Sequence, residues 1–247
     1  MSDFRCYCEN TVLRTDRIEL SAEESHHLVA TNRAREGDEV IAFNGEGVEW
    51  TCELEVADKK QALLKSKSYK VHQTPEKRVT LIQAAPKGKG LESIVRRATE
   101  LGIWQVLPVM TSRTELKIIT DRQANKLAKL KAAAIEGAKQ SGNPFLPKIG
   151  ALQPLFYALE GFFDLHIVAS LQPETRMVKD IFSEFRGKHQ FQPKTVACLI
   201  GPEGDFTEEE YKAIAKCGFK PVTIGPFVQR CETAAVSILS IVRQELC

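Results

Sequence analysis

Two loops near the end of the chain combine residue types that could bind a cofactor. The segment L-I-G-P-E-G-D-F-T-E-E-E at 199–210 predicts a strand, a glycine turn and a capped helix. The glycines at 201, 204 and 225 let a ligand approach the backbone closely. Glu203 would repel a phosphate, whereas a neutral or cationic ligand would tolerate it. S-adenosylmethionine, whose sulfonium is positive, meets this requirement.

Known phosphate-binding motifs are missing from the chain. No G-x-x-x-x-G-K-[ST] sequence occurs, and no G-x-G-x-x-G follows a predicted strand. The sequence therefore argues against a nucleoside triphosphate site.

Arg230 lies between the second glycine turn and a helix predicted from about residue 233 to 246. At this position its guanidinium group can bind an anion. The neighbouring Glu232 and Thr233 have two possible roles, as part of the site or as caps of the helix. His26 and His27 are interpreted as surface or packing residues, and no histidine lies in the glycine loops.

Strands and helices alternate after about residue 77, which predicts a mostly parallel α/β sheet. Three predicted strands end in loops at 169–174, 200–204 and 224–235. Because ligands of open α/β sheets bind at the carboxyl ends of strands, we expect these loops to form one pocket.

The first 72 residues show a different pattern, of short strands separated by turns such as Gly37-Asp38 and Asn44-Gly45. This pattern predicts a small β-barrel, followed by a linker around Pro75. We therefore expect two domains, residues 1–74 and residues 75–247.

Composition limits the function classes. The 247 residues are 43% hydrophobic, and neither an apolar leader nor a spanning segment is evident, which predicts a soluble cytoplasmic protein. The seven cysteines lack zinc spacing and are expected to be reduced and mostly buried, with no metal bound. Residues 77–148 contain 14 Lys and Arg against 5 Asp and Glu, which favours a polyanionic partner, although a solvated basic helix is an alternative for 122–131.

The two glycine loops together resemble the cofactor motifs of the ribosomal RNA small-subunit methyltransferase E family, the uridine-N3 methyltransferases of the SPOUT superfamily. The segments A-P-K-G-K-G-L-E-S-I-V-R-R-A-T-E-L-G-I-W-Q-V-L-P-V at 85–109 and A-K-Q-S-G-N at 138–143 are also similar to that family. The resemblance extends over the whole chain, because R-A-R-E-G-D-E-V fits the PUA-like barrel with which these enzymes begin.

The resemblance implies a C-terminal SPOUT domain with a parallel sheet and a deep trefoil knot, an N-terminal PUA-like RNA-binding barrel, and a homodimer. It also implies methylation of 16S ribosomal RNA in the small subunit with S-adenosylmethionine. The implied cofactor-binding residues are Ser170, Leu171, Ile200, Gly201, Glu203, Gly204, Ile224, Gly225, Phe227, Val228, Thr233 and Ala234. The implied catalytic residues are Arg230 and Glu232, and the expected RNA-binding residues are Lys87, Lys89, Arg96, Arg97, Gln140 and Asn143.

Three positions depart from the family pattern. Asp205 replaces a common second glycine, Asn143 replaces a frequent arginine, and Cys231 replaces the usual threonine. Two other functions stay open at this point: a SPOUT methyltransferase that modifies another RNA or another position, and a non-catalytic RNA-binding assembly factor.

Overall fold

The computed structural model describes residues 4–9, 11–88, 90–114 and 120–247, with only the helical backbone for 120–122. The chain forms two compact units. The first consists of Met1–Thr74 with Ile135–Leu146, and the second of Pro75–Ala134 with Pro147–Cys247.

The first unit is built on a five-stranded sheet in the order β1-β3-β4-β5-β2. Strand β1 runs parallel to β3, and the other neighbours are antiparallel. Helix α1 begins after Ser21, whose side chain accepts a hydrogen bond from the Glu24 amide, and it continues as a π-helical turn over His27–Thr31. The bounds are β1 (Phe4–Tyr7), β2 (Arg17–Glu19), α1 (Ala22–His26), β3 (Glu39–Phe43), β4 (Val48–Val56) and β5 (Leu63–Val71).

The core of the first unit follows from alternation along β4, where Trp50, Cys52 and Leu54 point inward and are fully buried. Cys6 and Cys8 of the β1 region belong to the same apolar cluster. Among the described residues all seven cysteines are free, and five of them are buried, as expected from the sequence.

The segment 135–146 is attached to the first unit by a buried ion pair and by close backbone packing. Lys139 Nζ lies 2.9 Å from Glu24 Oε2 and 3.3 Å from His27 Nδ1, so His27 is part of a structural cluster. A Cβ atom at Gly47 would lie 2.4 Å from the Phe145 ring, and φ is +94° at this position. Only glycine therefore allows the segment to approach this turn so closely.

The second unit contains an eight-stranded sheet in which every described pair is parallel. The strand order is β11-β13-β10-β12-β6-β7-β8, and β9 also pairs with β7. The strands are β6 (Arg78–Ala84), β7 (Gln105–Met110), β8 (Lys148–Ile149), β9 (Gln153–Pro154), β10 (Leu165–Ala169), β11 (Arg176–Met177), β12 (Thr195–Ile200) and β13 (Lys220–Thr223). The helices are α2 (Gly90–Glu100), α3 (Thr120–Ser141), α4 (Leu155–Leu159), α5 (Val178–His189), α6 (Glu208–Lys216) and α7 (Cys231–Leu246).

Helices cover the sheet through two groups of contacts. Helix α7 packs against α2, α5, β6 and β12. Helices α4 and α6 share an apolar cluster with Ile82 and Ala84 of β6 and with Ala197 and Leu199 of β12. The predicted parallel α/β sheet is therefore confirmed. None of the described helices has the length and apolar composition that a membrane crossing needs.

Some predicted boundaries were wrong. Helix α7 begins at Cys231, two residues earlier than predicted, because Arg230 is its N-cap residue. The predicted elements also omitted α4, α5 and the two-residue strands β8, β9 and β11. For α5 a signal was present, since Val178, Ile181, Phe182 and Phe185 follow helical spacing, whereas α4 and the short strands are too short for a periodic pattern.

The buried thiols predict that the first unit loses stability at alkaline pH. Burial raises the pKa of Cys8 to about 11 and that of Cys52 to about 12, from an ordinary value of 9.0. As the pH rises, the thiols ionise in the unfolded chain before they ionise in the folded protein. Their contribution to the free energy of unfolding is therefore complete below pH 9 and declines as the pH rises above it. We expect the urea midpoint, followed by Trp50 fluorescence in a Trp104→Phe background, to fall between pH 9 and 10.

A Cys52→Val variant is the matched control, since its fall over the same pH range should be shallower. The explanation fails when the two proteins show the same pH dependence.

Candidate functional site

The carboxyl ends of β7, β6, β12, β10 and β13 lie side by side at one edge of the parallel sheet. The register aligns Gln83 with Ile200, and Ala169 with Val222, so the loops that follow these strands start at the same edge. The Ser170 amide donates a hydrogen bond to the Val222 carbonyl at 3.1 Å, which joins the loop after β10 to β13 next to the start of the following loop. The structure thus brings the three predicted loops together.

The predicted cofactor residues differ in their exposure. Ile200 and Ala234 are buried and support the loops from below, while Gly204, Gly225 and Thr233 are exposed. Three apolar side chains project from the loops with large exposed fractions: Leu171 (60%), Phe227 (82%) and Val228 (77%). Ser170, Gly201 and Ile224 are half-buried, and Glu203 is exposed.

The loop after β12 is held by its neighbours on both sides. Glu203 Oε1 accepts a hydrogen bond from the Lys87 amide at 3.1 Å, which connects it to the loop after β6. The Cys231 thiol donates to the Gly201 carbonyl at 3.4 Å, which connects the loop to the start of α7. A threonine hydroxyl at this position could donate the same hydrogen bond.

A pocket of about 220 Å³ opens beside Glu203. It contains a carboxylate next to two cationic residues, and its lining residues are Ala85, Pro86, Lys87, Gly88, Arg113, Thr114 and Glu203. Among the described residues, no group of three or more His, Cys, Asp or Glu side chains is arranged to hold a metal ion.

The Cys231 thiol at the start of α7 is buried near two carboxylates. Burial, followed by the charges of Glu203 and Glu232, raises the pKa of the Cys231 thiol to about 11, so the thiol stays protonated and can donate. A Cβ atom at Gly90 would lie 2.6 Å from Glu232 Oε1, so the glycine leaves room for this carboxylate at the start of α2. A helix N-terminus favours a negative charge at that position.

Of the two roles considered for Glu232 and Thr233, capping of α7 is excluded. Both residues lie within the first turn of the helix, and the N-cap residue is Arg230, which makes no side-chain capping bond. Glu232 still complements the helix dipole from the first turn. Arg230 is exposed, and the described part of the chain gives its side chain no hydrogen-bond or ion-pair partner.

Three further residues organise this edge, although none of them was assigned to the site from the sequence. Arg113 Nη1 donates to the Gly204 carbonyl. Glu210, which is 2% exposed, accepts from the Ser112 amide at 2.7 Å and from the Thr207 amide at 2.9 Å. Tyr211 donates to Asp205. The polar run T-S-R-T after β7 was the available signal for Arg113, since it follows a strand that ends at the same edge.

The capped helix predicted within 199–210 is present and begins with a capping box formed by Thr207 and Glu210, but Glu210 does more than close the box. One carboxylate oxygen satisfies the cap, and the other holds the loop after β7. Such a buried carboxylate is favourable only when its oxygens are hydrogen-bonded, as they are here.

The predicted RNA-binding residues do not form one cluster in a single unit. Lys87, Arg96 and Arg97 are exposed in the second unit, the arginines on α2. Gln140 and Asn143 belong to the first unit, where Asn143 Oδ1 accepts from the Phe145 amide at 3.0 Å. Lys89 lies outside the described residues.

Comparison with known proteins matches both parts of the chain. A family model described as an RNA methyltransferase domain matches residues 72–243, and one described as an RNA methyltransferase PUA domain matches residues 20–65. The chain is 32% identical over 228 residues to the ribosomal RNA small subunit methyltransferase E of Synechocystis, covering 90% of this chain and 71% of that protein. It is 29% identical to the Bacillus subtilis protein of the same name, covering 90% and 88%.

A solved structure from Legionella pneumophila, described as a methyltransferase with the bound cofactor S-adenosylmethionine, is similar in fold. It superimposes with a TM-score of 0.87 at 28% identity and covers 99% of this chain and 98% of its own. The similarity therefore includes both units of the chain.

The two glycines of the 201–204 loop should respond differently to alanine. A Cβ at Gly201 would lie 2.9 Å from the buried Phe206 ring, whereas one at Gly204 would lie 3.3 Å from the flexible Arg113 side chain. We expect Gly201→Ala to lower the free energy of unfolding by about 1–3 kcal/mol, the usual cost of overpacking. Gly204→Ala should change it by less than about 0.5 kcal/mol. Equal losses in denaturant titrations of the two variants would contradict this packing.

Proposed function

The chain belongs to the ribosomal RNA small subunit methyltransferase E family, and we propose that it methylates N3 of a uridine in 16S ribosomal RNA. S-adenosylmethionine is the methyl donor. The observation that carries this proposal is the match of both units to the family, together with glycine loops that meet at one sheet edge.

The residues at this edge fit S-adenosylmethionine. Gly204 and Gly225 expose their backbone, and φ of +151° at Gly225 disfavours any side chain there. Glu203 provides a negative charge beside the glycine turn, which suits a cationic ligand better than a phosphate. When bound, the cofactor supplies a transferable methyl group and a positive sulfonium.

We assign cofactor binding to the three loops. Apolar contact comes from Leu171, Phe227 and Val228, which are exposed in the free protein although burial would be favourable for them. Hydrogen bonds come from the loop backbone and Ser170 at one side and from the start of α7, with Thr233, at the other. Ile200, Ile224, Gly201 and Ala234 shape the floor.

The chemistry at uridine requires loss of the N3 proton, because the N3 lone pair of the neutral base takes part in its conjugation. The resulting anion places charge on O2 and O4. Arg230 is exposed at the edge and has no partner in the described part of the chain, so its guanidinium can donate to one of these oxygens. Glu232, held beside the start of α2, is assigned a positioning role at this end of the site.

The RNA is assigned to the basic surface of the second unit and to the first unit. Lys87, Arg96 and Arg97 contribute charge that neutralises phosphates, and the PUA-like unit provides further RNA-binding surface. We extend these assignments to Lys89, Gln140 and Asn143. Residues 1–74 are then the RNA-binding domain, and residues 75–247 are the methyltransferase domain.

Three finer features belong to the same proposal. The second unit contains the deep trefoil knot of SPOUT methyltransferases, the protein works as a homodimer, and it acts in the cytoplasm without a metal. They rest on the family relationship.

Binding of S-adenosylmethionine to the purified protein tests the cofactor assignment. We expect calorimetry to detect binding without added metal, and Gly204→Val to weaken it because a branched side chain would occupy the face on which the ligand approaches. Gly204→Ala controls for stability. Unchanged affinity in the valine variant would show that this loop does not contact the ligand.

Arg230→Ala tests the catalytic assignment. Loss of one donor to the developing anion should raise the barrier of single-turnover methylation by about 2.7–4 kcal/mol while cofactor affinity is retained. A higher pH should restore part of the rate, because more of the uracil then ionises without help. Arg230→Lys should recover little, since an ammonium lacks the planar guanidinium fork.

A weaker affinity for RNA together with a normal single-turnover rate would exclude Arg230 from the chemistry. That result would instead place the residue in phosphate binding.

A further inference from the structure

Tyr211, in the first turn of α6, connects two loops of the proposed cofactor site through its hydroxyl group. The hydroxyl donates to Asp205 Oδ1 at 2.7 Å and accepts from Ser170 Oγ at 3.3 Å. Ser170 Oγ in turn accepts from the Gln172 amide at 3.1 Å. One half-buried phenol therefore fixes the loop after β10 relative to the loop after β12.

Asp205 has an uncommon backbone conformation at the end of the glycine turn. Its φ is +62°, in the left-handed region that most side chains avoid and that aspartate tolerates better than most. Its amide donates to the Pro202 carbonyl at 3.0 Å and closes the turn that contains Glu203 and Gly204. A glycine at position 205 would adopt this φ at no steric cost, but it could not accept the hydrogen bond from Tyr211.

The ring of Tyr211 supports the same loop from below. It packs edge-on against Phe206, with ring centroids 5.4 Å apart, and Phe206 lies directly under Gly201. The hydroxyl thus holds the end of the turn at Asp205, and the ring supports its beginning at Gly201.

From these contacts we infer that Tyr211 is a positioning residue that holds the 201–205 turn and the Ser170 loop in the conformation that receives the cofactor, with Asp205 as its acceptor. The inference rests on the proposed cofactor site. A loop that is already ordered loses less conformational freedom on binding, so the network should increase affinity without touching the transferred group. Burial raises the pKa of Tyr211 to about 12, and the hydroxyl therefore remains a donor at neutral pH.

The test compares Tyr211→Phe with the wild-type protein by calorimetry with S-adenosylmethionine. The variant keeps the ring contact with Phe206 and removes only the hydroxyl. We expect binding to weaken about five- to tenfold, the scale of one ordinary hydrogen bond. The single-turnover rate at saturating cofactor should stay within about twofold of the wild-type rate, because the hydroxyl affects binding of the cofactor and not the methyl transfer itself.

Tyr157→Phe is the matched control, since Tyr157 belongs to the same unit and is 68% exposed. It should bind the cofactor like the wild type.

Two substitutions at Asp205 separate the hydrogen bond from backbone strain. Asp205→Asn keeps an acceptor oxygen and the tolerance for positive φ, so its affinity should stay close to that of the wild type. Asp205→Gly relieves strain but lacks the acceptor, so it should be weakened like Tyr211→Phe. The double variant Tyr211→Phe/Asp205→Gly should bind no more weakly than Tyr211→Phe alone, because Tyr211→Phe already removes the bond to Asp205 together with the bond from Ser170.

The inference is overturned if wild-type protein binds the cofactor and Tyr211→Phe binds it equally well, or if the glycine and asparagine variants at position 205 bind alike. Failure of the wild-type protein itself to bind would instead overturn the proposed function.

Discussion

Parallel pairing of β7, β6, β12, β10 and β13 is the constraint on which the site depends. In parallel strands all carboxyl ends lie at one edge, so loops that are far apart in sequence become neighbours. The buried faces of these strands fix the register, because a shift by one residue would exchange the two faces of the strand. The residues proposed to bind the cofactor thus depend on the apolar core for their relative positions.

Polar contacts then refine what the sheet brings together. Glu210 joins the loop after β7 to the start of α6, while its neighbour Tyr211 joins the loops after β10 and β12. Glu203 joins the loop after β12 to the loop after β6, and Cys231 joins the loop after β12 to the start of α7. The link between Glu203 and Lys87 is exposed, but each of the others uses a partly or fully buried polar group, where a missing partner would cost more free energy than at the surface.

The sequence was sufficient for features with strong local signals. Alternating strands and helices predicted the parallel sheet, and the Thr207 capping box placed the start of α6 correctly. The glycines at 201 and 225 marked turns that lie at the edge of the sheet. Free, mostly buried thiols also followed from composition and spacing.

Features that depend on distant contacts could not be predicted in the same way. Glu210 was predicted only as a cap, because its bond to Ser112 joins residues separated by 98 positions. Segment 135–146 belongs to the first unit through the ion pair between Lys139 and Glu24, which are 115 positions apart. The start of α7 was misplaced because its N-cap is an arginine, which is not a preferred capping residue.

Mass spectrometry of nucleosides from small-subunit ribosomal RNA, prepared from cells with and without the gene, tests the central claim most directly. The account predicts that N3-methyluridine is present in 16S RNA when the gene is intact, is lost when the gene is deleted, and returns with the wild-type gene. Unchanged N3-methyluridine after deletion, or loss of a different modified nucleoside, would contradict it.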